Sequence, residues 1–585
     1  MGTAQTGQGS HPYPGAPSFQ LPSEITLSAA GEIGQAESTI AVLKQRSYTD
    51  RSRVIPSVMA DTFCADLGVN GLLEKLNDTF GTSYNLNLDT YEASECPSTP
   101  QALAEFTFHR NVRHLYSLLG HCVQRSSDFG TAYACLRRFW YDLTTIDFKH
   151  ELRRREEEDR RRRQNVRGRI TTPDIPPRRV WDLHANRVVP YWVGWAFPYG
   201  ISHAWMEDTE RVDVWTPING YKWPVPIPKD TSLDLIRIEM LNLGVQYAWL
   251  DVLCLRQAGG PREDLRAEEW KVDVPTIGYV YQRSRKVVCY FSGLGRPLSL
   301  KPGDFESNRF WFNRAWTLQE ISEHMIVGGE TGDGIVQEDI QTKFRGQLAS
   351  LERIRAPCAS ITVFDFLSQM KNRVSTNPMD RVAGLIYLLR PKYIPIYDAA
   401  QSQEDAWVAL VDAMEYSSRI ELLFLYPKPG NGSKYWRPSW KQVMSKKTTS
   451  LSCSGLQWIG QVSRMEETDA NWFEGTRIDA GDVRGLSNRK GSRARQGELT
   501  VKDYTGAPHK FEIVANHAYP IPDGSYILIG RGTYSKTLAH FWVIGRRLRD
   551  GRFKKVSVFS MPDKEERRRL QELGIARYHA KMVFC

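Results

Sequence analysis

The stretch Asn313-Arg-Ala-Trp-Thr-Leu-Gln-Glu-Ile321 places a carboxylate, Glu320, four residues after an indole, Trp316. Asn313 is a fitting N-cap and no helix breaker follows, so the stretch predicts a helix with Trp316 and Glu320 on one face. A ring that stacks on a flat substrate, with a carboxylate fixed beside it, stabilises positive charge that develops on that substrate. The competing reading is structural: Trp316 is core, and Glu320 bonds Arg314 or a capping amide. Asp251 poses the same choice. It lies in the nearly continuous apolar run Tyr247 to Leu255, where a carboxylate must be paired or hydrogen-bonded, or its pKa rises sharply. Either it orients a loop or meets a substrate, or it is a buried staple held by backbone amides or by Arg314. His203, in Ile201-Ser-His-Ala-Trp-Met-Glu-Asp208, bonds a substrate phosphate or Glu320, or is a satisfied core histidine. Cys254 reads as packing, since nothing near it in sequence would lower its thiol pKa.

The elements that carry these residues alternate. Tyr199 to Trp205 reads as a short strand ending in polar and aromatic residues. A helix capped at Thr231 to Asp234 runs to Gly244, and Tyr247 to Leu255 reads as a strand buried on both faces. Pro275 opens a helix, Lys286 to Phe291 is another buried strand, and Met325 to Val327 begins a further one. Such alternation predicts α/β architecture, with right-handed crossovers and a doubly wound parallel sheet. Ligands of such sheets bind beyond the carboxyl ends of the strands, where His203, Trp205, Cys254, Gln257 and the loop Ser292 to Gly295 fall. Around this unit the chain divides into a tail at 1–35, a helical region at 36–165 ending in an Arg/Glu-rich helix, the α/β domain at 166–345, a helical region at 346–435 and a β-rich domain at 436–585. The tail is rich in Gly, Pro, Ser and Gln, a composition that favours disorder. A hairpin is expected around Asp550-Gly551. Met206 to Asp230 reads as irregular.

Several functions are disfavoured by what is missing. No phosphate-binding G-x-x-x-x-G-K-[ST] loop, H-E-x-x-H, G-x-S-x-G or kinase motif set occurs, and Gly293-Leu-Gly295 is a turn rather than a dinucleotide fingerprint. The formal charge of +10 over 585 residues is modest, and the densest charged run, His150 to Arg163, sets seven arginines against five acidic residues. Both signs mix in that run, so it reads as a solvated helix, and a nucleic-acid partner is not expected. Nine scattered cysteines without metal spacing argue for free thiols in a reducing compartment, hence a cytoplasmic protein. No window is apolar and long enough for a transmembrane segment. Met1-Gly2-Thr3-Ala4-Gln5-Thr6 matches a loose N-myristoylation pattern at Gly2, and one such chain would anchor only marginally.

Together with Val180-Trp-Asp-Leu-His-Ala-Asn-Arg-Val-Val-Pro-Tyr-Trp192, the segments 201–208, 247–257 and 313–320 resemble the fungal heterokaryon-incompatibility (HET) domain, over roughly residues 178 to 330. Asn377-Pro-Met-Asp-Arg-Val-Ala-Gly-Leu-Ile-Tyr-Leu-Leu389 and Tyr435-Trp-Arg-Pro-Ser-Trp440 look like the region that accompanies it in multidomain mushroom-type members. That domain is in turn similar to the Toll/interleukin-1 receptor (TIR) domain, a flavodoxin-like fold. Residues 201–211 look like the first TIR box, and 287–321 like the strand, loop and Trp-Cys-x-x-Glu-Leu that follow. His203 and Trp205 depart from that box, and so does the long segment 206–230. The resemblance implies a cell-death effector in non-self recognition, acting through self-association and an upstream recognition partner. By position, Glu320 is the glutamate that cleaves NAD⁺ in enzymatic TIR domains. NAD⁺ is then a substrate and no cofactor is implied. Breaking the nicotinamide–ribose bond builds positive charge on the sugar, so one fixed carboxylate suffices with so good a leaving group. Asp251 would meet the ribose, Trp316 or Trp205 would stack on a ring, and Ser202, Gln257 and Arg314 would complete the binding set. Two rivals stand beside this: a non-enzymatic TIR-like adaptor, and, weakest, a nucleic-acid binder using the arginine run, whose affinity would fall steeply with salt.

Overall fold

The computed structural model describes residues 53–86, 99–143, 145–322, 324–329, 338–355, 361–445, 461–465, 468, 470–487, 494–530 and 540–585. The expected tail at 1–35 and the Gly2 motif lie outside the described residues. The molecule is mixed α/β, with a helical N-terminal part, a six-stranded mixed sheet, further helices and a C-terminal antiparallel sheet.

Near the N-terminus, helices Cys64–Phe80, Pro100–Gln124, Phe129–Leu136 and Phe148–Arg162 enclose a core that includes Phe80, Tyr133 and Trp140. The Arg/Glu-rich run forms the last of these, laced by Glu151–Arg154, Glu151–Arg155 and Glu158–Arg162 pairs one turn apart. Its end is tied inward, because Arg163 Nη1 reaches Asp273 Oδ1 at 3.3 Å.

Six strands make the central sheet: β1 Arg179–Asp182, β2 Arg187–Pro190, β3 Tyr199–His203, β4 Tyr247–Leu250, β5 Val287–Tyr290 and β6 Met325–Val327. Their order is β6-β5-β3-β4-β1-β2. The first four are mutually parallel, whereas β1 runs antiparallel to β4 and pairs with β2 as a hairpin. Both β4 and β5 are buried along their whole length, as their continuous apolar runs require. The helix Leu233–Asn242 connects β3 to β4; it starts where Ser232 accepts the Asp234 N–H and ends ahead of Gly244, whose φ of +73° suits glycine. Gly200 in β3 is a further positional glycine. A Cβ there would stand 2.8 Å from the Tyr281 ring, and that ring needs its place to donate to the Ile201 carbonyl at 3.0 Å.

Three local expectations change. The run from Tyr247 stops being a strand at Leu250, and Asp251–Cys254 turns into a short helix. Residues 206–230 contain a two-stranded hairpin, Arg211–Val214 with Val225–Pro228, rather than only irregular chain. Most consequentially, 313–321 is no α-helix. It makes two 3₁₀ turns, Trp311–Asn313 and Trp316–Leu318. Its backbone is claimed by a neighbouring strand-like segment: Ala315 N–H donates to Val374 O (2.9 Å) and Val374 N–H to Asn313 O (2.7 Å). The Asn313 side chain donates to Phe305 and Ser307 carbonyls instead of capping. Tertiary bonding overrides local helix propensity here.

Beyond the sheet, helices Glu338–Arg355, Val363–Lys371, Gln403–Ala413 and Tyr416–Phe424 pack in one continuous core with it. Within the region expected to be helical, Asp380 to Leu389 forms a short helix, Asp380–Ala383, and a 3₁₀ turn, Tyr387–Leu389, rather than one continuous helix. At the C-terminus, antiparallel pairing runs from Asn471–Arg484 through Arg495–Lys502, Pro508–Ala515, Phe553–Ser560, Phe541–Arg547 and Gly524–Gly530, and returns to Asn471–Arg484. The ring is closed, and Gln461–Arg464 and Arg577–Val583 flank it as further strands on Asn471–Arg484. The expected Asp550-Gly551 hairpin is one of its corners.

Candidate functional site

Where β3 and β4 end, the chain opens a cavity of about 340 Å³. His203 is the last residue of β3, and Asp251 follows the last residue of β4. Seven of the eight residues singled out from the sequence line this space: His203, Trp205, Asp251, Gln257, Arg314, Trp316 and Glu320. The eighth, Ser202, sits directly behind Glu320.

Glu320 is held by a short relay. Trp311 Nε1 donates to Ser202 Oγ at 2.8 Å, and Ser202 Oγ donates to Glu320 Oε2 at 2.5 Å. Because the serine oxygen accepts the indole proton, its own proton is committed to the glutamate. Neither partner proposed for a structural role, Arg314 or a capping amide, makes this bond. Burial pushes the Glu320 carboxyl up to about 7; the Ser202 bond opposes the rise, Asp251 adds to it, and His203 and Arg314 pull against it. Near neutral pH the group is therefore divided between acid and carboxylate. Replacing Ser202 by Ala removes a donor that favours the ionised form, so the Glu320 titration is expected to move further upward by about one unit or more. Infrared titration of the carboxyl band, with Glu320→Gln to assign it, checks this.

His203 and Asp251 form a second unit, with Nε2 2.8 Å from Oδ1. Asp251 Oδ1 also accepts the Val252 N–H at 2.7 Å. The other imidazole nitrogen, Nδ1, faces the Ala204 carbonyl at 3.3 Å, an acceptor only, so both ring nitrogens meet acceptors and the setting favours the protonated ring. Burial disfavours that charge, but Asp251 outweighs it and leaves His203 above the ordinary histidine value. Burial likewise opposes ionisation of Asp251, and His203 with the Val252 amide holds it below the ordinary carboxylate value. His203 thus bonds Asp251 rather than Glu320. Asp251 finds an amide, as one reading of it required, and a histidine in place of Arg314.

Trp205 is crowded by cations. His203 stacks on it at 5.7 Å between centroids, and Arg211 and Arg314 lie 5.7 and 5.9 Å from its centre. The Gln257 amide turns back on its own chain, donating to Leu255 O at 2.9 Å and Asp251 O at 3.3 Å. Cys254 is buried and its thiol is pushed up to about 12, mainly by desolvation, as packing predicts. The loop Ser292 to Gly295, placed at the rim from sequence, is not part of the cavity wall.

Sequence reasoning missed one wall. Val374, Ser375, Thr376, Asn377, Asp380 and Tyr397 also line the cavity, carried in by the same Val374 bridge that displaced the predicted helix. Asp380 accepts from Tyr397 Oη at 2.8 Å. Trp249, Trp270 and Tyr281 complete an aromatic lining. The only signal for them was their position in buried strands and helices, which predicts core rather than site. Among the described residues no group of His, Cys, Asp or Glu is arranged to hold a metal ion, and no helix is long and apolar enough to cross a membrane.

No family model, curated protein or solved structure matches this chain.

Proposed function

We propose that the chain is a HET-type cell-death effector whose TIR-like α/β unit hydrolyses NAD⁺ at this cavity, with Glu320 as the catalytic group. The observation that carries the reading is the Glu320 carboxylate, buried and aimed by Ser202, in an aromatic cavity at the carboxyl ends of parallel strands. Trp316, half-buried in the wall, is better placed to stack on the nicotinamide than Trp205, which is already occupied. In the reaction the bond from the pyridinium nitrogen to the ribose carbon breaks and its electron pair stays on nitrogen, so neutral nicotinamide leaves. Ionised Glu320 stabilises the cationic sugar. Water then adds to that carbon and gives up one proton, which Glu320, with a pKa near 7, is able to receive. The balance is NAD⁺ and water to nicotinamide, ADP-ribose and a proton. A pyridinium entering beside Glu320 favours its ionised form, so the substrate itself helps charge the catalyst.

The test is NAD⁺ consumption by the full chain at high protein concentration, beside Glu320→Gln. A fragment ending near residue 345 would lose the wall that carries Asp380 and Tyr397. Wild-type kcat/KM, which reports the free enzyme, is expected to rise with pH through about 7 and level off above it, because the ionised carboxylate is the working form. Absence of NAD⁺ loss from folded, self-associated full-length protein would leave the adaptor reading in its place.

A further inference from the structure

Asp380 is a third carboxylate on the cavity wall, contributed from outside the six-stranded sheet. Tyr397 Oη donates to its Oδ1 at 2.8 Å, and the Trp316 side chain and the Asn377 amide lie near enough to favour its charged form. A carboxylate has about four acceptor positions. The Tyr397 bond leaves acceptor capacity on a partly buried residue that lines the cavity. Its pKa is raised by burial, with Arg314 acting on it only at longer range, so it is not the partner of a close ion pair. A residue of this kind needs a donor from the occupant. At the Asp380 carboxylate a phosphate is a poor candidate, because like charges repel, whereas a hydroxyl can donate to it.

Resting on the NAD⁺ reading, we infer that Asp380 accepts a hydroxyl of the ribose attached to the pyridinium, so that the segment 374–399 reads the sugar while Glu320 acts on its anomeric carbon. The site then selects ribosides over deoxyribosides, and Asp380 is a specificity-determining residue in a wall added to the α/β unit.

The test is a binding titration of full-length Glu320→Gln, which does not consume its ligand, with nicotinamide riboside and its 2′-deoxy and 3′-deoxy analogues. One of the analogues is expected to bind about tenfold more weakly or worse, the size of a hydrogen bond to a charged group. Adding Asp380→Asn is expected to bring riboside and that analogue within about twofold of each other. Because the comparison is between ligands on one protein, a general loss of folding does not imitate it. Tyr397→Phe, which keeps the carboxylate, is expected to retain the discrimination. The inference is overturned if the riboside does not bind, if neither analogue is weakened, or if the discrimination survives in Asp380→Asn. The two readings fail separately. Riboside binding that depends on Asp380 without NAD⁺ cleavage sinks the hydrolase, and NAD⁺ cleavage indifferent to Asp380 sinks the sugar-reading role.

Discussion

Glu320→Gln is expected to abolish NAD⁺ cleavage and to make the protein more stable at pH 8. Catalytically, the amide keeps the shape and the Ser202 hydrogen bond but carries no charge to set against a developing oxocarbenium ion. Loss of such preorganised electrostatic stabilisation lowers kcat by about 10²-fold or more. Energetically, the wild type bears a cost that the variant escapes. Burial holds the Glu320 carboxyl at about 7 in the fold, against 4.5 for an ordinary glutamate. The unfolded chain therefore releases its proton first, and wild-type stability falls as pH rises between those two values. The accumulated difference is about 3 kcal/mol. The gap between variant and wild type should be small at pH 4.5, open up to pH 7 and stay level above it. Urea denaturation at pH 5 and pH 8 measures it. Equal stabilities at pH 8 would mean that the carboxylate is solvated, and the activated-carboxylate argument would go with it. A more stable but inactive variant is the usual mark of a group kept in an unfavourable place for its chemistry.

How far this site was legible depends on which physical rule each residue obeys. His203, Trp205 and Gln257 could be placed because strand ends in a parallel sheet point one way, and the apolar runs marked the strands; Asp251 was expected inside its strand and instead follows its end. Glu320 and Trp316 were placed on the right wall for a partly wrong reason. Their shared face was expected from an α-helix, whereas the structure presents them from 3₁₀ turns pinned by Val374. A sequence window contains propensity but not the partner some sixty residues away that claims its amides. Asp380 and Tyr397 fail for the same reason, since they reach the cavity through that long-range bridge. Ser202 was named for its position, but its link to Trp311 needed the fold. The closed C-terminal ring was read only as strands, because closure depends on Asn471–Arg484 pairing with both of its neighbours at once.

Asp251→Ala is expected to destabilise the protein by about 3–5 kcal/mol near pH 6, the range for removing one partner of a buried ion pair. It strands the His203 imidazolium, removes the acceptor of the Val252 amide, and lets burial drive the His203 pKa below its ordinary value. The pH dependence has a definite sign. His203 is raised in the fold, so its contribution is complete below the unfolded histidine value of 6.5 and fades as pH climbs through the folded pKa. Asp251 is lowered, so its share is lost only in acid, as pH falls through its own folded pKa. The cost of the substitution should therefore be larger at pH 6 than at pH 9. A double-mutant cycle with His203→Gln isolates the pair, and a coupling below about 1 kcal/mol would show that the two charges do not hold each other. The cycle also separates two ways in which this pair can serve the cavity. Trp205 stacks on the imidazolium and carries Arg314, so losing the charge frees the rim. If the pair acts through that rim, His203→Gln lowers kcat/KM nearly as much as Asp251→Ala. If Asp251 instead touches the substrate, its loss is the greater, and the surplus persists in the double variant.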